Sequence, residues 1–407
     1  MMSVSDPGEV PRPSADAAAT PAPTHLELLR PTERLPLGFV TERDTVFLIA
    51  RERSARWPTD VLRDGTARLH VEGRVVEGAA ALVTDPSEKQ RVVGLFRSKY
   101  GDRRFDRWYA NPARVLRIAP GISNGPSDPA ALYHRWLAAE FDNVAEEYDR
   151  HITGNRVNRL LRDRSLAELR RAFTSAHRLL EIGCGSGMET LPLLEDGHEI
   201  LCVDISDRML EVVRSKARAA GLSESLRTAR LPASELGRIS RDGMLGAFDG
   251  AYSTYGAMNC EENLDGVAPA LFDLLGPSAP FVAGVYNRWC VFEIMGYGLT
   301  GQWSRAFGRV RSPIRVGTSR FCVDVYAYSP REFRHRFEPW FRAERLEAVP
   351  VLLPPSDLVE YAERFGRRWS ELTRLDRAVG RKWPFRALGD HFLLTFRRRT
   401  DRPTVSE

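Results

Sequence analysis

Residues 179–187 read Leu179-Leu180-Glu181-Ile182-Gly183-Cys184-Gly185-Ser186-Gly187, and this stretch decides the fold. An apolar run, interrupted only by Glu181, leads without a break into a Gly-x-Gly-x-Gly turn. A helix is expected to follow over 187–195. Glycines are needed where a backbone turns tightly and lets a ligand approach with no Cβ in the way.

Working outward, Glu199–Asp204 reads as the next strand, and Asp204 closes it about 20 residues past the glycines, where a carboxylate can accept both hydroxyls of a ribose. Further strands are expected at Arg178–Ile182, Leu226–Arg230, Phe248–Ser253 and Pro280–Tyr286. Helices are expected at 130–150 (broken near Asp142), Arg156–Phe173 and Arg208–Ala220. Strands alternating with helices of this length imply a largely parallel sheet covered on both faces. In such a sheet, ligands lie outside the carboxyl ends of the strands at the switch point.

The spacing Gly-x-Gly-x-Gly after an acid-containing strand, with Asp204 closing the next strand, resembles motif I of the class I S-adenosylmethionine (SAM) dependent methyltransferases. The resemblance covers roughly the C-terminal two-thirds of the chain, from about Asn143 to Arg398. It implies an α/β, Rossmann-like, seven-stranded and mostly parallel sheet, with SAM as cofactor. By the resemblance, Glu181, Gly183, Cys184, Gly185 and Gly187 shape the methionine side. Asp204 holds the ribose, Ile205 flanks the adenine, and Ala233 and Ser253 complete the pocket. The run Phe141-Asp142-x-x-Ala145-x-x-Tyr148-Asp149 resembles the lead-in helix of small-molecule members, in which Tyr148 closes over the cofactor. Tyr252–Cys260 and Leu388–Phe392 resemble a bacterial subgroup. One departure stands out: Pro232 occupies the place where members often carry an acid for the adenine amino group.

The acceptor is less legible. The Asn/Asp-Pro-Pro-Tyr/Phe motif of base-amino methylating enzymes is absent after the fourth strand, where the chain reads Ser253-Thr254-Tyr255-Gly256. Tyr255 and Asn259 follow that strand, where an acceptor would lie. An insertion over about 288–328 carries Trp289, Phe292, Tyr297, Trp303, Phe307 and Phe321. An aromatic cap suits a small, partly apolar acceptor, with Arg288, Trp289 and Glu293 as substrate-binding candidates. Arg288 and Glu293 could equally pair with each other. A hydroxyl acceptor needs a general base. His151 is a candidate beside Tyr255 and Asn259, whereas His391 at the start of the last strand reads as structural and His335 as solvated. An amine or thiol acceptor needs orientation only. The expected reaction is methyl transfer to a small metabolite, in specialised biosynthesis, with the O-, N- or C-acceptor open. A bifunctional methyltransferase/reductase and a non-catalytic SAM-binding scaffold are the alternatives.

The 407 residues exceed one ordinary domain. Residues 1–30 are expected as a disordered tail, 31–120 as a small β domain, 121–129 as a linker, and 130–400 as the SAM domain. The β domain has strand-like runs at Thr45–Ala50, Ala67–Glu72, Val75–Val83 and Arg114–Ile118. A helix opens at Asp85-Pro86 and stops at Gly101. Trp57–Leu62 and that helix resemble part of a split β-barrel of flavin- or deazaflavin-dependent reductases. The resemblance lacks the family's strands upstream of Leu35 and its phosphate turn, and Asp60 would repel a phosphate. The barrel is therefore expected to bind no flavin, and to serve docking, homo-oligomerisation or substrate shaping. The charge of +5, with arginines interspersed among acids, gives no basic run interleaved with aromatics, so nucleic acid is not the expected partner. No apolar run reaches membrane-spanning length. Five scattered cysteines without a C-x-x-C pair point away from a metal site and toward a reducing, cytoplasmic location.

Overall fold

The computed structural model describes residues 26–29, 34–50, 57–71, 74–102, 105–106, 114–120, 129–241, 243, 246–318 and 321–402. The expected linker at 121–129 lies almost wholly outside them. The chain divides into two compact units, one of residues up to 144 together with 316–323, and one of 145–315 and 324–407.

The first unit is built on β1 (Leu26–Leu29), β2 (Arg34–Leu37), β3 (Phe39–Glu42), β4 (Thr45–Ala50), β5 (Thr66–Val71), β6 (Arg74–Leu82) and β7 (Arg114–Pro120). They form one antiparallel sheet in the order β2-β1-β5-β6-β7-β4-β3. Two expectations change here. A strand does stand upstream of Leu35, and β1, expected within the disordered tail, is an inner strand between β2 and β5. Its alternating Leu-Glu-Leu-Leu buries Leu26 and Leu28. The Pro86–Tyr100 helix starts and stops as the sequence indicates. Asp85 accepts from the Glu88 N–H at 2.7 Å, and Gly101 takes φ +78° at the far end. Phe96 and Tyr100 pack under it with Phe47, Val92 and Val115. The helix at 129–144, expected in the SAM domain, belongs to this first unit, as does the stretch 316–323 of the expected cap.

In the second unit, β8 (Arg178–Ile182), β9 (Glu199–Asp204), β10 (Leu226–Arg230), β11 (Gly250–Ser253), β12 (Pro280–Tyr286), β15 (Phe341–Val349) and β16 (His391–Arg398) make a seven-stranded sheet, β10-β9-β8-β11-β12-β16-β15. β13 (Ile314–Thr318) and β14 (Phe321–Val325) pair separately. The first five strands run parallel, and β16 lies antiparallel to both β12 and β15. Side-chain alternation divides each strand between two cores. Leu180, Ile182, Val203 and Phe281 face one, whereas Leu179, Cys202, Tyr252 and Val282 face the other. Switching strand order at β8/β11 brings the carboxyl ends of those two strands to one crevice. The reversed β16 places its first residue, His391, at the same edge, opposite Tyr286 at the end of β12. No described helix is long and apolar enough to cross a membrane.

Candidate active site

The turn after β8 requires glycine at all three positions. Gly183, Gly185 and Gly187 all have positive φ, at +71°, +50° and +81°, a region that costs a side chain strain. A Cβ on Gly183 would strike Ala257, and one on Gly187 would strike Val213. A Cβ on Gly185 meets nothing nearer than the Tyr148 ring, 4.0 Å away. Gly185 therefore faces the Tyr148 ring without a clash, and its positive φ is what calls for glycine there. The left-handed Gly187 also explains why the expected helix at 187–195 begins only at Thr190.

Asp204 sits at the end of β9, 7% exposed. Its Oδ2 accepts from Gly185 N–H at 2.8 Å, and its Oδ1 accepts from Ser206 N–H at 2.9 Å. Gly183 N–H donates to Val203 O at 2.7 Å. Carboxylate, turn and next helix are thus tied together. Ser253 Oγ, at the tip of β11, is buried without a hydrogen-bond partner. Such an orphan is costly unless a ligand satisfies it. Tyr148 is held from behind, because Lys216 pairs with the neighbouring Asp149 and donates to Ser186 O at 2.7 Å. The glycine turn, the Asp204 carboxylate and the Ser253 orphan fit a nucleoside-bearing ligand.

Glu181 is elsewhere. Alternation along β8 puts it on the inner face, 2% exposed, where Thr190 Oγ1 donates to it at 2.5 Å and the Cys202 thiol at 3.3 Å. Burial pushes its carboxyl up to about 8, so near neutrality it is largely protonated and supports the turn from below. A carboxyl raised on folding binds its proton more tightly in the folded state. Its contribution to stability is therefore greatest below the unfolded value near 4.5 and is lost as pH climbs toward 8. We expect Glu181→Gln to flatten the fall in Tm between pH 5 and pH 8. Parallel Tm–pH curves for wild type and variant would reject this.

After β10, where the resemblance places the adenine, Ala233 opens a short 3-10 turn, and Ser234 N–H donates to Glu261 Oε2 at 3.1 Å. An acidic group does stand at this loop, but it comes from Glu261, beyond β11, in place of Pro232. No local sequence signal marks it. Ile205 accepts from Arg230 Nε through its carbonyl at 3.3 Å. Cys184 is buried within the turn.

The acceptor-side candidates are mostly committed to holding the fold. Asn259, 1% exposed, accepts from Tyr286 N–H at 2.8 Å and donates to Tyr326 O at 2.7 Å, so it staples the chain after the cap to β12. The Tyr255 hydroxyl donates to Leu161 O at 2.6 Å, and the residue takes the strained φ of +49°. Arg288 and Glu293 do not pair with each other. Arg288 binds Glu332 and the Ala327 carbonyl, whereas Glu293 binds Arg309. Trp289 is 36% exposed. The side chain of His151 lies outside the described residues. His335 is exposed, as expected. Asn287, which the sequence did not single out, is fully buried and fastens the root of the cap through the carbonyls of Trp289, Ala387 and Gly389.

Cys290, Glu293 and Asp390 come close enough to suggest a metal site. The Arg309 guanidinium already lies between the two carboxylates, with Nη2 2.6 Å from Asp390 and Nε 2.8 Å from Glu293. The cation of this cluster is an arginine. Elsewhere, a pocket of about 460 Å³ opens among Leu160, Arg162, Met188 and Trp369. Arg162 in its wall is paired with Glu189 at 2.6 Å.

Residues 179–278 match the family model described as a methyltransferase domain. The chain carries a methyltransferase domain. The tRNA 5-carboxymethoxyuridine methyltransferase of Escherichia coli (strain K12) is 30% identical over 93 residues, which are 21% of this chain and 34% of that protein. The chain thus spans about a third of the length of the curated relatives it matches. Among solved structures, the Burkholderia thailandensis 1,6-didemethyltoxoflavin-N1-methyltransferase, with S-adenosylhomocysteine bound, is 18% identical, with TM-score 0.42, over 70% of this chain and 96% of that one. The geranyl diphosphate C-methyltransferase of Streptomyces coelicolor A3(2) is 12% identical, with TM-score 0.38, over 58% of this chain and 76% of that one.

Proposed function

We propose that this chain is a SAM-dependent methyltransferase acting on a small-molecule metabolite. The observation that carries the reading is the Asp204 carboxylate at the end of β9, joined to the Gly185 N–H of the glycine turn and accompanied at the tip of β11 by the partnerless Ser253 hydroxyl. When bound, SAM supplies an electrophilic methyl group on a sulfonium. Gly183, Gly185 and Gly187 keep the backbone low enough for the methionine portion. Asp204 accepts from the ribose hydroxyls, Ile205 and Ala233 line the adenine, and Tyr148 covers the cradle. A small acceptor suits the cap, whose root is fixed by Asn287 and Asn259 and whose Glu293 is neutralised by Arg309. A place in specialised biosynthesis belongs to the same proposal.

The first unit is proposed as a docking, homo-oligomerising or substrate-shaping module. Calorimetry of the purified full chain with SAM and with S-adenosylhomocysteine tests the reading. We expect saturable one-to-one binding of both. Absence of heat from either would sink it. Binding without methyl transfer to any acceptor would favour the scaffold alternative, and a co-purifying yellow cofactor the bifunctional one.

A further inference from the structure

His391 opens β16, a position that reads as structural, yet its surroundings are polar on one side. Its Nδ1 lies 3.0 Å from Asp390 Oδ2. Asp390 is 2% exposed and is bound on its other oxygen by Arg309 at 2.6 Å. Arg309 also donates to the Asp390 main-chain carbonyl at 2.9 Å, and its own charge is shared with Glu293. Burial opposes ionisation of Asp390, but His391 and Arg309 outweigh it and hold the carboxyl down to about 2. The imidazole stands edge-on to two phenol rings, Tyr255 at 5.3 Å and Tyr286 at 5.2 Å. Both hydroxyls are held neutral, chiefly by burial. Nε2 has no hydrogen-bond partner among the described residues, and the side chain keeps 13% of its surface exposed. Strand direction places this ring at the carboxyl ends of β11 and β12, the side on which ligands of such sheets lie.

We propose that His391 is the general base for the acceptor, oriented by Asp390 and Arg309, and that the acceptor carries an ionisable O–H or N–H. The inference rests on the methyl-transfer reading above. Nε2 takes the acceptor proton as the acceptor oxygen or nitrogen forms its bond to the methyl carbon. The carbon–sulfur bond breaks with its electron pair passing to sulfur, which leaves as a neutral thioether. The positive charge ends on the imidazolium, facing the anionic Asp390, and the proton then passes to water. Asp390 and Arg309 are positioning residues. They fix Nδ1 as the protonated nitrogen and leave Nε2 as the acceptor, as a carboxylate does for many functional histidines.

The test uses the full chain treated with diethyl pyrocarbonate and mapped by peptide mass spectrometry. His335, 87% exposed, is the internal reference. His391 should be modified at a rate within about tenfold of His335 despite its shielding, and Asp390→Asn should slow it about tenfold without affecting His335. An unmodified His391 beside a fully modified His335, or no effect of Asp390→Asn, would overturn the proposal. S-Adenosylhomocysteine calorimetry on the same samples reports folding of the variant. It also separates the two ideas, since failure of wild type to bind would reject the methyl-transfer reading and the base assignment with it, whereas normal binding beside an unreactive His391 would reject the base assignment alone. With phenols as probe acceptors, His391→Ala should lower kcat about 10²–10⁴-fold, leave KM for SAM unchanged, and recover in buffered imidazole. Undiminished kcat would also overturn the assignment.

Discussion

Asp204→Ala is expected to weaken SAM binding by roughly 2–4 kcal/mol, about 30- to 900-fold in Kd, through loss of two charge-assisted hydrogen bonds. The side chain is 7% exposed, so water competes poorly for those bonds. The variant also frees the N–H groups of Gly185 and Ser206, which the carboxylate now accepts at 2.8 Å and 2.9 Å. Asp204→Asn helps to separate the two effects. An amide oxygen can keep one backbone contact but brings no charge, so the turn should be better preserved than in the alanine variant while affinity remains low. Calorimetry against SAM, with Tm as the control on folding, reads the result. A folded alanine variant with wild-type Kd would remove Asp204 from the ribose and with it the polarity of the whole site.

Arg309→Met should cost about 3–5 kcal/mol of stability, because it strands two buried carboxylates without their cation. Glu293 and Asp390 are 8% and 2% exposed at the side chain, and Arg309 only 5%. Arg309→Lys should rescue only part of this. A single ammonium cannot reproduce the fork that reaches both carboxylates and the Asn287 and Asp390 carbonyls. Urea denaturation with and without S-adenosylhomocysteine measures the effect. A loss below about 1 kcal/mol, the range of exposed pairs, would contradict it. Adding Glu293→Gln to Arg309→Met should recover stability, since it removes one of the stranded charges.

The inner parallel strands were legible because they are buried on both faces and read as short apolar runs, whereas β10, an edge strand, is only partly buried. β8, β9, β10 and β12 begin and end where the sequence places them. β11 is shorter than expected, since Phe248 makes only an isolated bridge to Leu275. β15 escaped notice. It is an edge strand whose Arg342, Glu344, Arg345 and Glu347 interrupt any apolar pattern. The glycine turn and the Asp204 position were readable because they are local, two strand ends and a turn. The acceptor side was not, because its contacts join residues far apart in the chain. Arg309 meets Asp390 across 81 residues, and Asn259 meets Tyr326 across 67. Glu181 is read differently by the motif and by the strand. Motif resemblance put it beside the cofactor, while the two-residue period of a strand sends it to the inner face.

The hydrogen bonds that tie the glycine turn to β9 have a further consequence for how binding proceeds. The Gly183 and Gly185 N–H groups are already engaged, by Val203 O and by Asp204, so the backbone under the ligand has little freedom left to lose. Association should then carry a small ordering penalty. Its rate should be set by diffusion and not by a slow rearrangement of the turn. Hydrogen exchange at Gly183 and Gly185 should be slow before any ligand is added and change little afterwards, leaving the calorimetric entropy to report mainly on released water.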